Sequence, residues 1–125
     1  MMRIFKIEGS KNSPWVLLNE KEGTIEISGI SAFDRPIHFY RCVARWINAF
    51  NLGEYKTKVV NMRFERLDKA SIKGMEFVLQ QLDKLSQHNN KLIINWYYTK
   101  DDLFIWSIGK YYSEQSRIPF RFKAA

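Results

Sequence analysis

The chain has 125 residues, of which 46% are apolar and 15% aromatic, enough to build one compact domain over residues 1–125. A charged fraction of 26% without low-complexity segments excludes a disordered tail, and no apolar run reaches the roughly 20 residues of a membrane-spanning helix. The net charge of +7 raises nucleic acid as a partner. However, Arg41, Arg45, Lys58, Arg63, Arg66, Lys69, Lys73, Lys110 and Arg121 are scattered, with no dense run and no aromatic RNA-binding motif. They read as a basic surface, with acidic protein partners ranked above nucleic acid. The start MMRIFKIEGS lacks the pattern of a signal peptide, and the single cysteine, Cys42, rules out an internal disulfide framework. A reducing cytoplasm is the expected location.

In chain order, residues 2–7 predict a short strand. SPWVLL and GTIEISGI predict two more, joined at NEKEG by a hairpin-like turn with Gly23. Ile25 and Ile27 alternate with Thr24, Glu26 and Ser28, the pattern of a half-buried strand. FDRPIHFYRCVARWINAF is a helix, with Asp34 as N-cap and Pro36 in the first turn. Phe39, Val43, Trp46 and Phe50 form its apolar stripe, Tyr40 and Ile47 lie beside them, and Arg41, Arg45 and Asn48 face outward. Residues 57–67 form a strand with Val60, Met62 and Phe64 on one face. A second helix over about 69–87 presents Ile72, Met75, Val78, Leu79, Leu82 and Leu85 as one stripe. KLIINWYY is an interior strand, rich in β-branched and aromatic residues. A third helix follows, capped by Asp101 or Asp102, and IPFRF is a last short strand. The order β-β-β-α-β-α-β-α-β predicts an α/β fold. Its sheet is mixed, antiparallel in the early hairpin and parallel later, with helices mainly on one face.

Motifs of catalysis are missing. There is no glycine-rich phosphate loop and no nucleophile elbow. His38 and His88 lie in different elements with no Cys or His at metal-ligand spacing, so both read as structural or solvated. Cys42 reads as an ordinary helix thiol, and the Asp101–Asp102 pair as helix capping. No catalytic residue, cofactor or metal is assigned.

Three stretches together carry a resemblance. They are TIEISGISAFDRPIHFYRCVARWINAF, the strand-to-helix junction with Ser71, Ile72 and Lys73, and INWYYTKDD followed by Gly109, Ser113–Glu114 and Ile118–Phe120. Order and spacing, from about residue 13 to residue 122, resemble the SiaC family of bacterial regulatory phosphoproteins. The resemblance implies a STAS-like fold, similar to that of the SpoIIAA-type anti-sigma-factor antagonists. It also implies a non-catalytic partner-switching module. A kinase phosphorylates such a protein, a phosphatase reverses this, and the unmodified form binds a partner. In one branch that partner is a diguanylate cyclase, so the pathway controls cyclic di-GMP and biofilm formation.

The junction LDKASIKG departs from the pattern this resemblance implies, an N-T-S-S-x-K-like run with the acceptor Thr inside it. Aligned on Lys73, the Asn position is Asp68 and the Thr position is Lys69. Two readings stay open. Ser71 is a substitute acceptor in the first helical turn, where free N–H groups, Lys69 and Lys73 would meet a phosphate. Alternatively, and preferred, Asp68 caps the helix, Ser71 is an ordinary N3 side chain and the switch is lost.

The third helix departs as well, with Leu103, Phe104, Lys110 and Tyr111 at positions where the family resemblance implies polar or acidic residues. On a helical wheel Phe104, Ile108, Tyr111 and Tyr112 share a buried face, while Trp106 points away from it. Phe77 lies off the main stripe of the second helix. Phe77, Phe104 and Trp106 are therefore candidate partner contacts beside Asp68, Lys69, Ser71 and Lys73, the alternative being that they pack within the fold. A constitutive assembly subunit or homodimer reusing the fold is the second functional reading. Nucleic-acid binding is the third.

Overall fold

The structure is a computed structural model that describes residues 3–49, 57–87 and 91–124. Six strands form one sheet: β1 (Ile4–Ile7), β2 (Trp15–Asn19), β3 (Thr24–Ser31), β4 (Thr57–Leu67), β5 (Lys91–Tyr98) and β6 (Phe120–Ala124). Three helices connect the last four: α1 (Pro36–Ala49), α2 (Lys69–Ser86) and α3 (Leu103–Gln115). The strand order is the chain order. β1, β2 and β3 pair antiparallel, while β3 to β6 pair parallel. Gly23, at φ 66°, takes the left-handed conformation that closes the β2–β3 hairpin.

Register places the core. Phe5, Leu18, Ile25, Val60, Ile94 and Phe120 form one row across all six strands. Ile7, Val16, Ile27, Met62, Trp96 and Phe122 form the next. The central members of both rows are fully buried and the edge members less so. Because side chains alternate with period 2, the other face carries Lys6, Leu17, Glu26, Asn61, Asn95 and Arg121 in one row. There Asn95 Nδ2 donates to Asn61 Oδ1 (2.9 Å), and the Arg63 guanidinium stacks 4.0 Å from the Tyr97 ring centre.

The helices bury Tyr40, Val43 and Ile47 from α1, Met75, Val78, Leu79 and Leu82 from α2, and Ile105, Ile108 and Tyr112 from α3. The α1 stripe is thus rotated from the one the sequence suggests. Tyr40 and Ile47 form its centre with Pro36, while Phe39 and Trp46 are half-buried flanks. Trp46 packs on Phe5 at 5.1 Å, because β1 extends the sheet beneath that flank. Phe50 and His88 lie outside the described residues. The residue immediately before α1 is Arg35, not Asp34. Its carbonyl accepts the Phe39 N–H at 3.2 Å, and its φ of 58° is a strained value for a side chain with a Cβ. Lys58, read as surface charge, is buried at the start of β4, and burial lowers its pKa. Its position opposes the hydrophobic pattern because residue 58 shares the face of Val60 and Met62.

Two helix glycines fix how closely the layers approach. A Cβ at Gly74 would stand 2.8 Å from Cδ2 of Tyr40 and 3.2 Å from the Pro36 carbonyl oxygen. A Cβ at Gly109 would stand 2.4 Å from Cδ1 and Nε1 of Trp96. The Trp96 indole also donates to the Ile105 carbonyl (3.0 Å), so α3 is both packed on and bonded to the ring. Gly109→Ala raises helix propensity but forces this contact apart. It is expected to cost about 2 kcal/mol or more in urea unfolding. Lys110→Ala, exposed on the same helix, is expected to stay within about 0.5 kcal/mol.

Candidate functional site

In a parallel sheet, every strand leads to its crossover helix at the same edge. The carboxyl ends of β3, β4 and β5 and the first turns of α1, α2 and α3 therefore gather along one rim. The junction LDKASIKG is the middle of that rim. Asp68 is extended (φ −81°, ψ 172°), and its Oδ1 accepts the Ser71 N–H at 2.8 Å. Its carbonyl accepts the Ile72 N–H at 2.9 Å, and its own N–H donates to the Ser31 carbonyl at 3.0 Å. Asp68 is thus the N-cap of α2 and a tie between the ends of β3 and β4.

Ser71, at the third helical position, turns inward and is fully buried. Its hydroxyl accepts from Ser31 Oγ (2.7 Å), and Ser31 Oγ lies 2.6 Å from the Tyr40 hydroxyl. With the Ser31 proton directed at Ser71, Tyr40 supplies the proton of the second bond. The three hydroxyls form a chain of two hydrogen bonds between α1, β3 and α2, all without solvent exposure. Burial is the main cause that raises the Tyr40 pKa well above the usual phenol range; the nearby Asp68 charge adds to it and the Ser31 hydrogen bond opposes it. Lys69, Ala70 and Lys73 are exposed around this buried group. The rim therefore separates Ser71, which faces the core, from Lys69, which faces solvent. Sequence reasoning missed Ser31 and Tyr40 as partners of Ser71. The available signal was a polar residue ending an otherwise apolar strand face and a tyrosine within a helix stripe.

The first turn of α3 adds an apolar surface. Asp102, rather than Asp101, caps it through the Ile105 N–H (3.0 Å). Its buried face is Ile105, Ile108, Gly109 and Tyr112. Phe104 and Tyr111, placed inside by the helical wheel, are instead exposed, because Gly109 and not Phe104 must meet Trp96. Leu103 is 73% and Phe104 59% exposed. Trp106, at 37%, lies 6.2 Å from the Phe122 ring on the outer flank. Tyr112 donates to the Ile72 carbonyl (2.6 Å) and Tyr111 to Glu76 Oε1 (3.0 Å), which lock α3 to α2. Phe77 is half-buried on the α1 side of α2, under the Arg41 guanidinium at 4.6 Å. The structure brings Asp68, Lys69, Ser71 and Lys73 together at one helix end. Phe77 lies one turn beyond Lys73, and Phe104 and Trp106 stand apart on α3.

Among the described residues, no group of three His, Cys, Asp or Glu side chains is placed to hold a metal ion. Exposed His38 lies beside half-buried Cys42, with Nε2 to Sγ at 3.8 Å on one helix face. Among the described residues, no helix is long and apolar enough to cross a membrane.

Two measurements probe the buried hydroxyls. Tyr40→Phe removes one hydrogen bond and leaves the rest of the chain of hydroxyls in place, so it is expected to cost about 1 kcal/mol of stability in denaturant unfolding. Tyr40 and Tyr112 are both kept neutral mainly by burial. The unfolded chain releases these protons near the ordinary tyrosine value of 10.0, whereas the folded chain holds them. The stability they confer is therefore full below that pH and lost as pH rises above it. Ultraviolet titration should show these two phenols ionising only with unfolding.

Comparison with known proteins places the chain. The family model described as SiaC family regulatory phosphoprotein matches residues 7–125. An uncharacterised protein of Pseudomonas aeruginosa strain UCBPP-PA14 is 20% identical over 118 residues, covering 94% of each chain. Apo-SiaC from Pseudomonas aeruginosa superposes with a TM-score of 0.86 at 20% identity, over 98% of this chain and 100% of that one. A complex of the diguanylate cyclase SiaD with its activator SiaC, from the same organism, contains a chain that superposes with a TM-score of 0.85 at 20% identity, over 97% of this chain and 99% of that one. The mixed sheet with its helices on one face is the fold of these SiaC structures. On the match over residues 7–125, the chain belongs to the SiaC family of regulatory phosphoproteins.

Proposed function

We propose that this chain is a non-catalytic signalling module that binds a diguanylate cyclase and has lost phosphate control at the α2 junction. The partner class is supported by the likeness to SiaC, crystallised with the diguanylate cyclase SiaD that it activates. Loss of the switch is carried by one observation. Lysine stands at the aligned acceptor position, and the neighbouring hydroxyl, Ser71, is buried and hydrogen-bonded to Ser31. A kinase cannot reach that oxygen without displacing the first turn of α2. The module then holds its partner constitutively, and output depends on how much of the protein is made. Control of cyclic di-GMP and of biofilm formation follows from that partner.

The contact surface in this reading is the rim, with Lys69 and Lys73, together with the exposed apolar start of α3. Phe104→Ala is expected to weaken cyclase binding by about 2 kcal/mol with little change in melting temperature, because the ring is mostly solvent-exposed. Trp106→Ala separates contact from packing, since that ring also rests near Phe122. Ser71→Glu is not a clean interface probe. It places a carboxylate among the buried hydroxyls and is expected to lower stability by several kcal/mol.

Intact-mass spectrometry of the protein isolated from its own cells tests the loss of switching. No phosphate is expected on the wild type. Lys69→Thr puts a hydroxyl on the exposed side of the junction and is expected to accept phosphate from a SiaC-type kinase. Phosphate on wild-type Ser71 would refute the proposal. The apolar start of α3 also suits a second copy of the chain, as in a constitutive assembly subunit. A dimer that persists on dilution in light scattering and binds no cyclase would select that reading.

A further inference from the structure

We infer that the groove between α1 and α2 is a docking site for an acidic helical segment of a protein partner. The inference rests on the partner-binding reading above and assigns the chemistry of one contact within it. Two adjoining hollows of 240 Å³ and 270 Å³ run between the helices. Both are lined by Arg41 and Phe77, with Lys73 at one end and Arg45 and Lys84 at the other.

The charges of α2 are sorted in part by side. Asp83 turns toward α3, where it accepts from the Ser116 hydroxyl (2.8 Å). Glu76 accepts from Tyr111 (3.0 Å) and also lines the smaller hollow, so one carboxylate borders the cations there. The α2 bases Lys73 and Lys84 turn toward α1, where they join Arg41 and Arg45. All four are exposed, and none lies within ion-pair distance of a carboxylate among the described residues. Four cations against the one carboxylate of Glu76 leave the cleft net positive, and an anionic ligand relieves that excess.

The spacing selects a helix. Lys73, Phe77 and Lys84 stand at i, i+4 and i+11, a strip on the order of 16 Å long, opposite Arg41 and Arg45 at i and i+4. An amphipathic helix laid along the strip sets carboxylates against both rows of cations. Its apolar stripe covers Phe77, whose ring Arg41 already braces at 4.6 Å. A second copy of this chain is disfavoured for the same cleft by its net charge of +7.

The test is selection from a displayed library of helix-length random peptides against the whole protein, with each recovered peptide then measured in solution. Peptides enriched in Asp and Glu around an apolar stripe are expected. They should bind Arg41→Glu/Arg45→Glu, or Lys73→Glu/Lys84→Glu, about tenfold or more weakly while both variants keep the wild-type melting temperature. Failure to recover binders, absence of acidic enrichment, or equal affinity for the charge-reversed proteins would overturn the inference. So would duplex DNA displacing every selected peptide. A diguanylate cyclase that binds wild type and charge-reversed protein equally well would remove the groove and keep the proposed function. Acid-selective groove binding by a chain that binds no cyclase would do the reverse.

Discussion

Right-handed crossover of a helix between adjacent parallel strands is the constraint on which the rest of this molecule depends. β3, β4, β5 and β6 lie side by side in chain order, so each of the three crossovers steps in the same direction. Three steps of one hand put α1, α2 and α3 on one face of the sheet. The same topology gathers their first turns along one rim. The two apolar rows of the sheet and the buried stripes of the helices then form a continuous core. The antiparallel β1–β2 extension widens that core. It is held at its margin by Arg3, whose guanidinium pairs with nearly buried Glu20 (2.9 Å) and donates to the Ala49 carbonyl (2.8 Å) at the end of α1.

Within this layer, the close approaches are specific to residue size. Gly74 lets α2 settle on the Tyr40 ring and the first turn of α1. That approach brings Ser71 within reach of Ser31 and Tyr40. The hydroxyl chain is therefore a consequence of helix packing as much as of residue type. Each of the three buried hydroxyls has a partner in this chain, whereas leaving one unpaired would cost about 1–3 kcal/mol. The arrangement orients the first turn of α2 with Ser71 inward and Lys69 outward. In LDKASIKG the aspartate is a cap, the serine belongs to the packed interior, and the lysine at 69 faces solvent.

The helical layer also presents two unlike surfaces. At the start of α3, Leu103 and Phe104 are apolar and exposed. Between α1 and α2 the surface is cationic around Phe77. Asp83 is engaged with α3, and Glu76, which accepts from Tyr111 and borders the cleft, offsets only one of its four cations. A partner that brings carboxylates to one surface and aliphatic groups to the other would contact both across the width of α2.

Much of this was legible in the chain itself, because the signals are local. Period-2 alternation marked Ile25, Ile27, Val60, Met62 and Phe64 as a core face. Capping chemistry marked Asp68, and the succession of strands and helices dictated a partly parallel sheet. What the sequence could not decide was phase and depth, which depend on contacts distant along the chain. α3 is apolar around most of its circumference, so a helical wheel admits several buried faces. The bulk of Trp96 selects the one that contains Gly109 and leaves Phe104 outside. α1 offered two overlapping stripes, and the α2 crossing at Gly74 chose the one centred on Tyr40. Ser71 and Lys58 are polar by composition and buried by position, an outcome set only when the layers close. The sequence by itself determined which elements form and in what order; the tertiary structure decided which side of each helix meets the sheet, because that choice is made by the volume of side chains on other elements.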